Sequence, residues 1–143
     1  MKICDLLEAK GSSVETITAD ATIAEASRRL VLHGIGALVV SSDGTHVSGI
    51  LSERDVVREI ADGGAAALTR DVASAMTTPV TTCAPTDDVV SLMAVMTERR
   101  IRHVPVLDAG RLAGIVSIGD VVKSRVDQLE RDRKELLEYV SGR

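Results

Sequence analysis

The chain has 143 residues, of which 45% are hydrophobic, and its formal net charge is −4. A chain of this length folds as one compact domain with an apolar core, whereas its acidic balance argues against nucleic-acid binding, which needs a positive surface. It contains one tyrosine, Tyr139, and neither Phe nor Trp. We therefore expect a core of aliphatic side chains and Met, in which any flat ligand lies between aliphatic groups.

The two cysteines, Cys4 and Cys83, lie far apart and share no metal-ligand spacing. We expect two buried thiols in a reducing cytosol, in preference to a disulfide or a metal site. No apolar run reaches the roughly 18 residues of a membrane span, and the N-terminus carries Asp5 where a signal peptide would be basic. These features predict a cytoplasmic protein without a membrane partner.

In chain order, the apolar pattern predicts two units that each read β-α-β-β-α. A short apolar helix precedes each unit, at 3–7 and 72–76. In the first unit, apolar spacing predicts a helix from Ile23 that ends at His33 and Gly34, because Gly is favoured just past a helix. The remaining elements of that unit are a buried strand, an Asp-Gly turn, a second strand and a second helix, at 37–40, 41–44, 47–51 and 52–60.

The second unit repeats the first about 66 residues later. Residues 100–106 align with 34–40, and 114–122 align with 49–57, with one residue fewer in the turn between the two blocks. Two copies are fewer than a solenoid needs, so we expect them to face each other and close a common core. A Gly/Ala stretch between the copies is typical of a linker. The predicted domains are repeat 1 (1–62), a linker (63–71), repeat 2 (72–127) and a C-terminal helix extension (128–143).

A Ser-x-x-Asp motif opens the last helix of each unit, directly after a strand led by glycine. The motifs are Ser52 with Asp55 and Ser117 with Asp120. One interpretation is a pair of capping boxes, in which these side chains satisfy free backbone N–H groups. The other is an anion site, because a helix start has unpaired N–H groups and a positive dipole end.

Cations lie close in sequence to both motifs. They are Arg54 and Arg58 in the first unit, and Lys123 and Arg125 in the second. A carboxylate suits a ribose diol, since each oxygen can accept from one hydroxyl, while Ser and Arg suit phosphate. Together these groups favour a cradle for a nucleoside phosphate.

The segment Arg102-His103-Val104-Pro105 is a second candidate. Pro105 has no N–H to donate, so we expect an edge strand, or one that ends there, with free backbone groups that could read a base edge. Arg102 and His103 alternate in direction along a strand, so only one of them faces a given site. The alternative is a solvated basic rim continuous with Arg99 and Arg100.

Residues 121–140 predict one long helix with an apolar stripe that Arg133 interrupts. The stripe consists of Val122, Val126, Leu129, Leu136 and Val140. It is too short to predict a coiled coil. It could dock on its own domain or on a second chain, and we favour a homodimer contact.

The sequence offers little for catalysis. His33, His46 and His103 have no evident Ser or Cys nucleophile as a partner, and neither a P-loop nor a G-x-G-x-x-G motif occurs. We therefore expect a protein that is not an enzyme and that carries no catalytic cofactor.

The motifs in combination point to a family. The segment Ile-Arg-His-Val-Pro-Val at 101–106 and the two G-h-h-S-x-x-D blocks at 49–55 and 114–120 resemble a tandem pair of cystathionine-β-synthase-type (CBS) domains, often called a Bateman module. The resemblance covers about residues 1–127 and looks like the stand-alone subgroup. It implies an α+β fold of two β-α-β-β-α repeats related by a pseudo-two-fold axis, and stacking of two such pairs into a homodimer.

The resemblance also implies ligands and roles. The ligands are adenosine-containing: AMP, ADP or ATP, and in some members S-adenosylmethionine or NAD(H). Carried over by motif, the resemblance implies that Asp55 and Asp120 bind ribose hydroxyls and that Ser52 and Ser117 bind ribose or phosphate. It implies that Arg102 and His103 bind phosphate, and that Thr16 and Thr82 lie on the strands that line the adenine pocket.

The two repeats depart from each other at one place. Where repeat 2 has the Arg-His-Val-Pro segment, repeat 1 has Gly-Ala-Leu-Val at 36–39. We therefore expect unequal sites, one taking a mononucleotide and the roomier one a larger ligand or none. The site at Ser117 and Asp120 has Arg102, His103 and Pro105 in its own repeat, which makes it the stronger candidate.

The predicted function is a ligand sensor that binds an adenine nucleotide and acts on an effector protein. The alternative is a structural homodimer adaptor without a ligand, whose Ser-x-x-Asp motifs act only as helix caps. A hydrolase acting on the nucleotide is a third and weaker interpretation.

Overall fold

The computed structural model describes residues 1–142, in which two small sheets are surrounded by helices. In chain order the elements are α1 (Ile3–Lys10), β1 (Thr16–Ile17), α2 (Ile23–His33), β2 (Ala37–Val40), β3 (Gly49–Ser52), α3 (Glu53–Gly63), a 3-10 helix (Gly64–Thr69), α4 (Val72–Ala75), α5 (Val89–Arg99), β4 (His103–Asp108), β5 (Arg111–Ser117) and α6 (Ile118–Val140). The predicted α+β class, with two repeats and a long C-terminal helix, is confirmed.

Local sequence signals account for the two ends of α2. The Thr22 hydroxyl caps α2 by accepting a hydrogen bond from the Glu25 amide at 3.1 Å. Gly34 ends the same helix with a φ of +61°, a left-handed conformation that glycine adopts without a steric penalty. This confirms the helix end predicted at His33 and Gly34.

The first sheet has three strands in the order β1-β2-β3. β1 is parallel to β2, with Thr16 opposite Val39, and β3 is antiparallel to β2, with Ala37 opposite Ser52. All four residues of β2 are buried, as expected of a central strand. This pairing brings the end of β3, where α3 begins, next to the start of β2.

The second sheet differs in its first strand. β4 pairs with β5, but the segment before α5 forms only an isolated bridge between Cys83 and Val106, so the strand expected at Thr82 is absent from the described residues. In repeat 1 the Val39 amide donates to the Glu15 carbonyl. The equivalent donor in repeat 2 would be the nitrogen of Pro105, which carries no hydrogen, and the parallel ladder is one bond shorter.

The core consists of two apolar clusters, each of which combines both halves of the chain. Ile3, Leu6 and Leu7 of α1 pack in the cluster that holds β4, β5 and α5. Val72 of α4 packs in the cluster of the first sheet and α2. The short helix before each repeat thus completes the core of the other repeat, and the two repeats fold as one unit.

The buried apolar side chains are aliphatic, with Met and Cys but no aromatic ring, as predicted. Both cysteines are free; Cys83 is buried, but Cys4 is exposed, so the expectation of two buried thiols was wrong for Cys4. Cys4 lies on α1 outside the stripe of Ile3, Leu6 and Leu7 that this helix buries. Within residues 1–142, no helix has both the length and the apolar character needed to cross a bilayer.

Candidate functional site

Both Ser-x-x-Asp motifs form complete capping boxes. At α3 the Asp55 amide donates to Ser52 Oγ at 3.3 Å, and the Ser52 amide donates to Asp55 Oδ2 at 2.9 Å. At α6 the corresponding distances for Ser117 and Asp120 are 3.1 Å and 2.8 Å. The first interpretation of the motifs, as helix caps, therefore holds in both repeats.

Asp55 makes further contacts besides the cap. It is 5% exposed, and its Oδ1 accepts from Arg58 Nη1 at 3.3 Å and from the Thr77 hydroxyl at 3.4 Å. These two bonds are long, and the Arg58 side chain is largely exposed. The outer oxygen of Asp55 is thus held loosely, by groups that can turn towards a ligand.

Asp120 is held by a different partner. Lys10, in the last turn of α1, donates from Nζ to Asp120 Oδ2 at 2.6 Å and to the Ile115 carbonyl at 2.7 Å. Burial raises the pKa of Asp120, but the hydrogen bonds from Lys10 and Ser117 outweigh it and leave that pKa below its usual value. Asp120 is therefore ionised and already paired with a cation.

A cavity of about 620 Å³, the first cleft, opens beside the α3 cap. It is lined by Gly36, Ile50, Ser52, Glu53, Arg54, Asp55, Val57 and Arg58 of repeat 1, by Thr77, and by Arg100, Ile101, Arg102 and His103 of repeat 2. Four arginines face two carboxylates here, in a chain that is acidic as a whole. The volume of the first cleft lies within the range of roughly 300–1,000 Å³ that is typical of small-molecule binding sites.

A smaller cavity of about 320 Å³, the second cleft, lies beside the α6 cap. It is lined by Lys10, Ser13, Val14, Glu15, Gly34, Ile35, Gly36 and Ala37 of repeat 1, and by His103, Ile115, Ser117 and Asp120 of repeat 2. The first cleft therefore joins the cap of α3 to the start of β4, and the second joins the cap of α6 to the start of β2.

This arrangement corrects the grouping expected from the sequence. Arg102 lies in the first cleft, with Ser52 and Asp55, and not with Ser117 and Asp120 of its own repeat. The basic groups thus favour the first cleft, the one that the sequence ranked second. The sequence grouped Arg102 with the motif of its own repeat because residues that meet across the two repeats are far apart along the chain.

His103 lines both clefts and lies against Gly36. A Cβ placed on Gly36 would come within 2.9 Å of His103 Cε1 and 2.7 Å of Glu53 Oε1. Gly36 therefore leaves the space into which the His103 ring projects. The missing side chain at Gly36 of repeat 1 thus makes room for the His103 ring of repeat 2.

The charge state of His103 follows from this central position. Burial lowers the pKa of His103 below its ordinary value, and the cations Arg102 and Lys10 act in the same direction, against Glu53 and Asp120. The imidazole is therefore neutral at physiological pH.

The other predicted site residues lie elsewhere. Val104 and Pro105 are buried within β4. Thr16 and Thr82 are not among the residues that line the two clefts. Lys123 faces a separate cavity of about 230 Å³ between α1 and α6, which Lys10 and Asp120 also border.

The sequence analysis missed several lining residues. Gly36 counted only as a departure between the repeats, and Arg100 only as part of a rim. Thr77 and Lys10 belong to no sequence motif: Lys10 ends α1 and Thr77 follows α4, and the sequence does not show where these two short helices pack. Among residues 1–142, no group of three His, Cys, Asp or Glu side chains is placed to hold a metal ion.

The fold and clefts define a class of protein: two α+β repeats that share their cores and form two clefts at their junction. The family model of the CBS domain matches residues 11–62 and 70–127. The chain belongs to the CBS-domain family.

Relatives with known sequences or structures agree with this assignment. CBS domain-containing protein CBSX3, mitochondrial, of Arabidopsis thaliana is 34% identical over 98% of this chain and 72% of its own length. The crystal structure of a CBS-domain-containing protein from Agrobacterium tumefaciens is 48% identical, with a TM-score of 0.85 over 87% of this chain and 99% of that one. The CBS domain pair of protein MJ0100, in complex with 5′-methylthioadenosine and S-adenosyl-L-methionine, is 25% identical, with a TM-score of 0.72 over 86% of this chain and 98% of that one.

Proposed function

We propose that this protein is a non-catalytic regulatory module that binds an adenosine-containing nucleotide, AMP, ADP, ATP or NAD(H), in the first cleft. The observation that carries the proposal is the convergence of four arginines from both repeats on the cleft beside Ser52 and Asp55. Because the ligand would touch both repeats, its binding would favour one relative placement of them over others.

The charges of the two clefts support the choice of cleft and ligand. Arg54, Arg58, Arg100 and Arg102 line the first cleft, and arginine binds phosphate through paired, charge-assisted hydrogen bonds. The second cleft has a single Lys beside two carboxylates. An anionic ligand therefore favours the first cleft.

The cap supplies groups for the remainder of the nucleotide. The outer oxygen of Asp55 can exchange its long bonds to Arg58 and Thr77 for bonds from ribose hydroxyls, while Ser52 and Arg54, at the start of α3, line the same cavity. The adenosine moiety of both ligands of the MJ0100 domain pair supports adenosine as the nucleoside.

The test is a thermal-shift panel followed by titration calorimetry. The panel contains AMP, ADP, ATP, NAD, NADH and S-adenosylmethionine, with uncharged adenosine as the reference. A ligand at 100 times its Kd should raise Tm by roughly 5–11 °C, and at equal concentration the phosphate-bearing ligands should give larger shifts than adenosine. No shift with any ligand refutes the proposal, and equal shifts for adenosine and AMP refute the role of the arginines.

A matched pair of variants localises the site. Arg102→Ala should weaken AMP binding about ten-fold or more, because it removes a charge-assisted contact to phosphate. Arg28→Ala removes an exposed arginine of α2 that is not among the residues lining either cleft, and it should leave the Kd unchanged. An equal loss in both variants would indicate a general charge effect instead.

The alternative function, a homodimer adaptor, has its own supporting observation. The apolar stripe of α6 is about half to three-quarters exposed at Val122, Val126, Leu129, Leu136 and Val140. Such a stripe on a monomer favours burial against a second copy. A homodimer is compatible with the sensor, whereas an adaptor without a ligand would fail the panel above.

Light scattering coupled to size-exclusion chromatography tests the dimer. Leu129→Glu places a charge in the stripe and should convert dimer to monomer, while Gln128→Glu adds the same charge beside the stripe and should not. A monomeric wild type excludes the homodimer, and a dimeric Leu129→Glu variant excludes α6 as its contact. The cytoplasmic location and the effector protein stay predictions.

A further inference from the structure

The capping carboxylates of the two clefts form ion pairs of unequal length: Arg58 reaches Asp55 at 3.3 Å from a largely exposed side chain, whereas the pair in the second cleft is short. Lys10 reaches from the end of α1 and binds Asp120 and the Ile115 carbonyl, at 2.6 Å and 2.7 Å. Both side chains are less than one-third exposed, so water screens the pair only in part.

The internal repeat shows what stands at the equivalent place in the first cleft. Ile50 and Ile115 each lie two residues before the capping serine. The Ile50 carbonyl accepts from the Thr77 amide at 2.8 Å, and the Thr77 hydroxyl reaches Asp55 at 3.4 Å. A neutral hydroxyl at a long distance in one cleft thus corresponds to an ammonium group at a short distance in the other.

The difference bears on how each carboxylate can bind a ribose. A carboxylate binds the two hydroxyls of a ribose best when each of its oxygens accepts from one hydroxyl. Asp120 Oδ2 is occupied by the Ser117 amide and by Lys10, at 2.8 Å and 2.6 Å, and a nucleoside would have to displace the ammonium. Asp55 Oδ2 accepts from the Ser52 amide and hydroxyl, at 2.9 Å and 3.1 Å, but both of these donors are neutral. Its Oδ1 accepts only at 3.3 Å and 3.4 Å, so a nucleoside at Asp55 displaces no cation held at short distance.

We infer that Lys10 determines which cleft takes the nucleotide. Its ammonium holds the ribose-binding carboxylate of the second cleft, so that the wild-type chain binds one adenosine ligand, in the first cleft. This inference rests on the proposed function for the identity of the ligand. The cost of displacing a charge-assisted bond should weaken the second site at least about ten-fold.

The experiment counts sites with two probes. AMP is added to saturation, and 5′-methylthioadenosine, which is uncharged and does not need arginines, is then titrated by calorimetry. The wild type should take up no further ligand at concentrations where Lys10→Met takes up one per chain. Lys10→Met keeps the length of the side chain without the charge, and its added site should disappear in the double variant with Asp120→Asn.

Two controls separate the effect from folding and from net charge. Lys134→Met removes a charge from the exposed surface of α6 and should behave as the wild type does. Lys10→Gln should reproduce the added site if Lys10→Met does not fold.

The outcomes distinguish this inference from the proposed function. A wild type that binds 5′-methylthioadenosine as tightly as Lys10→Met overturns the inference, as does a folded Lys10 variant that gains no site. Failure of AMP to bind the wild type overturns the proposed function instead, and the difference of one site between wild type and Lys10→Met still decides the role of Lys10.

Discussion

Replacement of Gly114 by alanine tests the packing that joins α1 to repeat 2. Gly114 leads the second Gly-h-h-Ser-x-x-Asp block and is buried in β5, where its ideal Cβ would lie 2.8 Å and 2.9 Å from the two methyl carbons of Leu7. Ordinary contacts between carbons are about 3.5–4.0 Å. Leu7 or the whole of α1 would therefore have to move by roughly 0.5–1 Å.

Little in the structure allows that movement. Leu7 is buried, and the start of α1 is anchored by hydrogen bonds from the Ile3 and Cys4 amides to the carbonyls of Asp87 and Pro85, both at 2.9 Å. Overpacking of this kind costs about 1–3 kcal/mol, and the reduced entropy of the unfolded chain returns about 0.4–1 kcal/mol. The net loss of unfolding free energy should be about 1–2 kcal/mol, or roughly 2–8 °C in Tm.

Urea denaturation followed by circular dichroism measures this loss. The matched control is Gly119→Ala in the first turn of α6, where the new Cβ meets nothing closer than Ser117 Oγ at 3.6 Å. That change should be neutral or should stabilise by up to about 1 kcal/mol, since alanine favours a helix over glycine. A Gly114→Ala variant as stable as the wild type would refute the close packing of α1 on β5.

Three further predictions concern the caps, the central histidine and the thiols. Ser52→Ala and Ser117→Ala should each lower the unfolding free energy by about 1 kcal/mol in thermal melts, because each removes one capping bond, and a change in only one of them would show that the two caps are unequal. Burial lowers the pKa of His103 in the folded state, so the unfolded chain binds more protons and the unfolding free energy should fall as the pH drops from about 7.5 through 6.5 towards the folded pKa. His103→Gln should reduce that loss in denaturation experiments at several pH values. The same dependence of stability on pH in the variant and the wild type would contradict the role of His103. A thiol reagent should label Cys4 in the native protein, whereas Cys83, buried and with its pKa raised to about 11 by that burial, should react only in denaturant; two fast thiols in the native state would contradict the fold.

The sequence by itself determined the local structure and the family. Gly34 ends α2, Ser52 and Ser117 cap α3 and α6, and the repeated blocks predict two β-α-β-β-α units, because turns and caps depend on neighbours within a few residues. The aliphatic core follows equally from composition. The resemblance to CBS domains, carried by three short motifs, is confirmed by the family match.

Only the tertiary structure decided which residues share a cleft. Arg102 meets Ser52 and Asp55 across the junction of the repeats, and Lys10 meets Asp120 although 110 positions separate them. Neither pairing is visible in the sequence, because the short helices exchange cores and each cleft is built from both repeats. The two Ser-x-x-Asp motifs are nearly identical along the chain and differ in the charges that the fold brings to them.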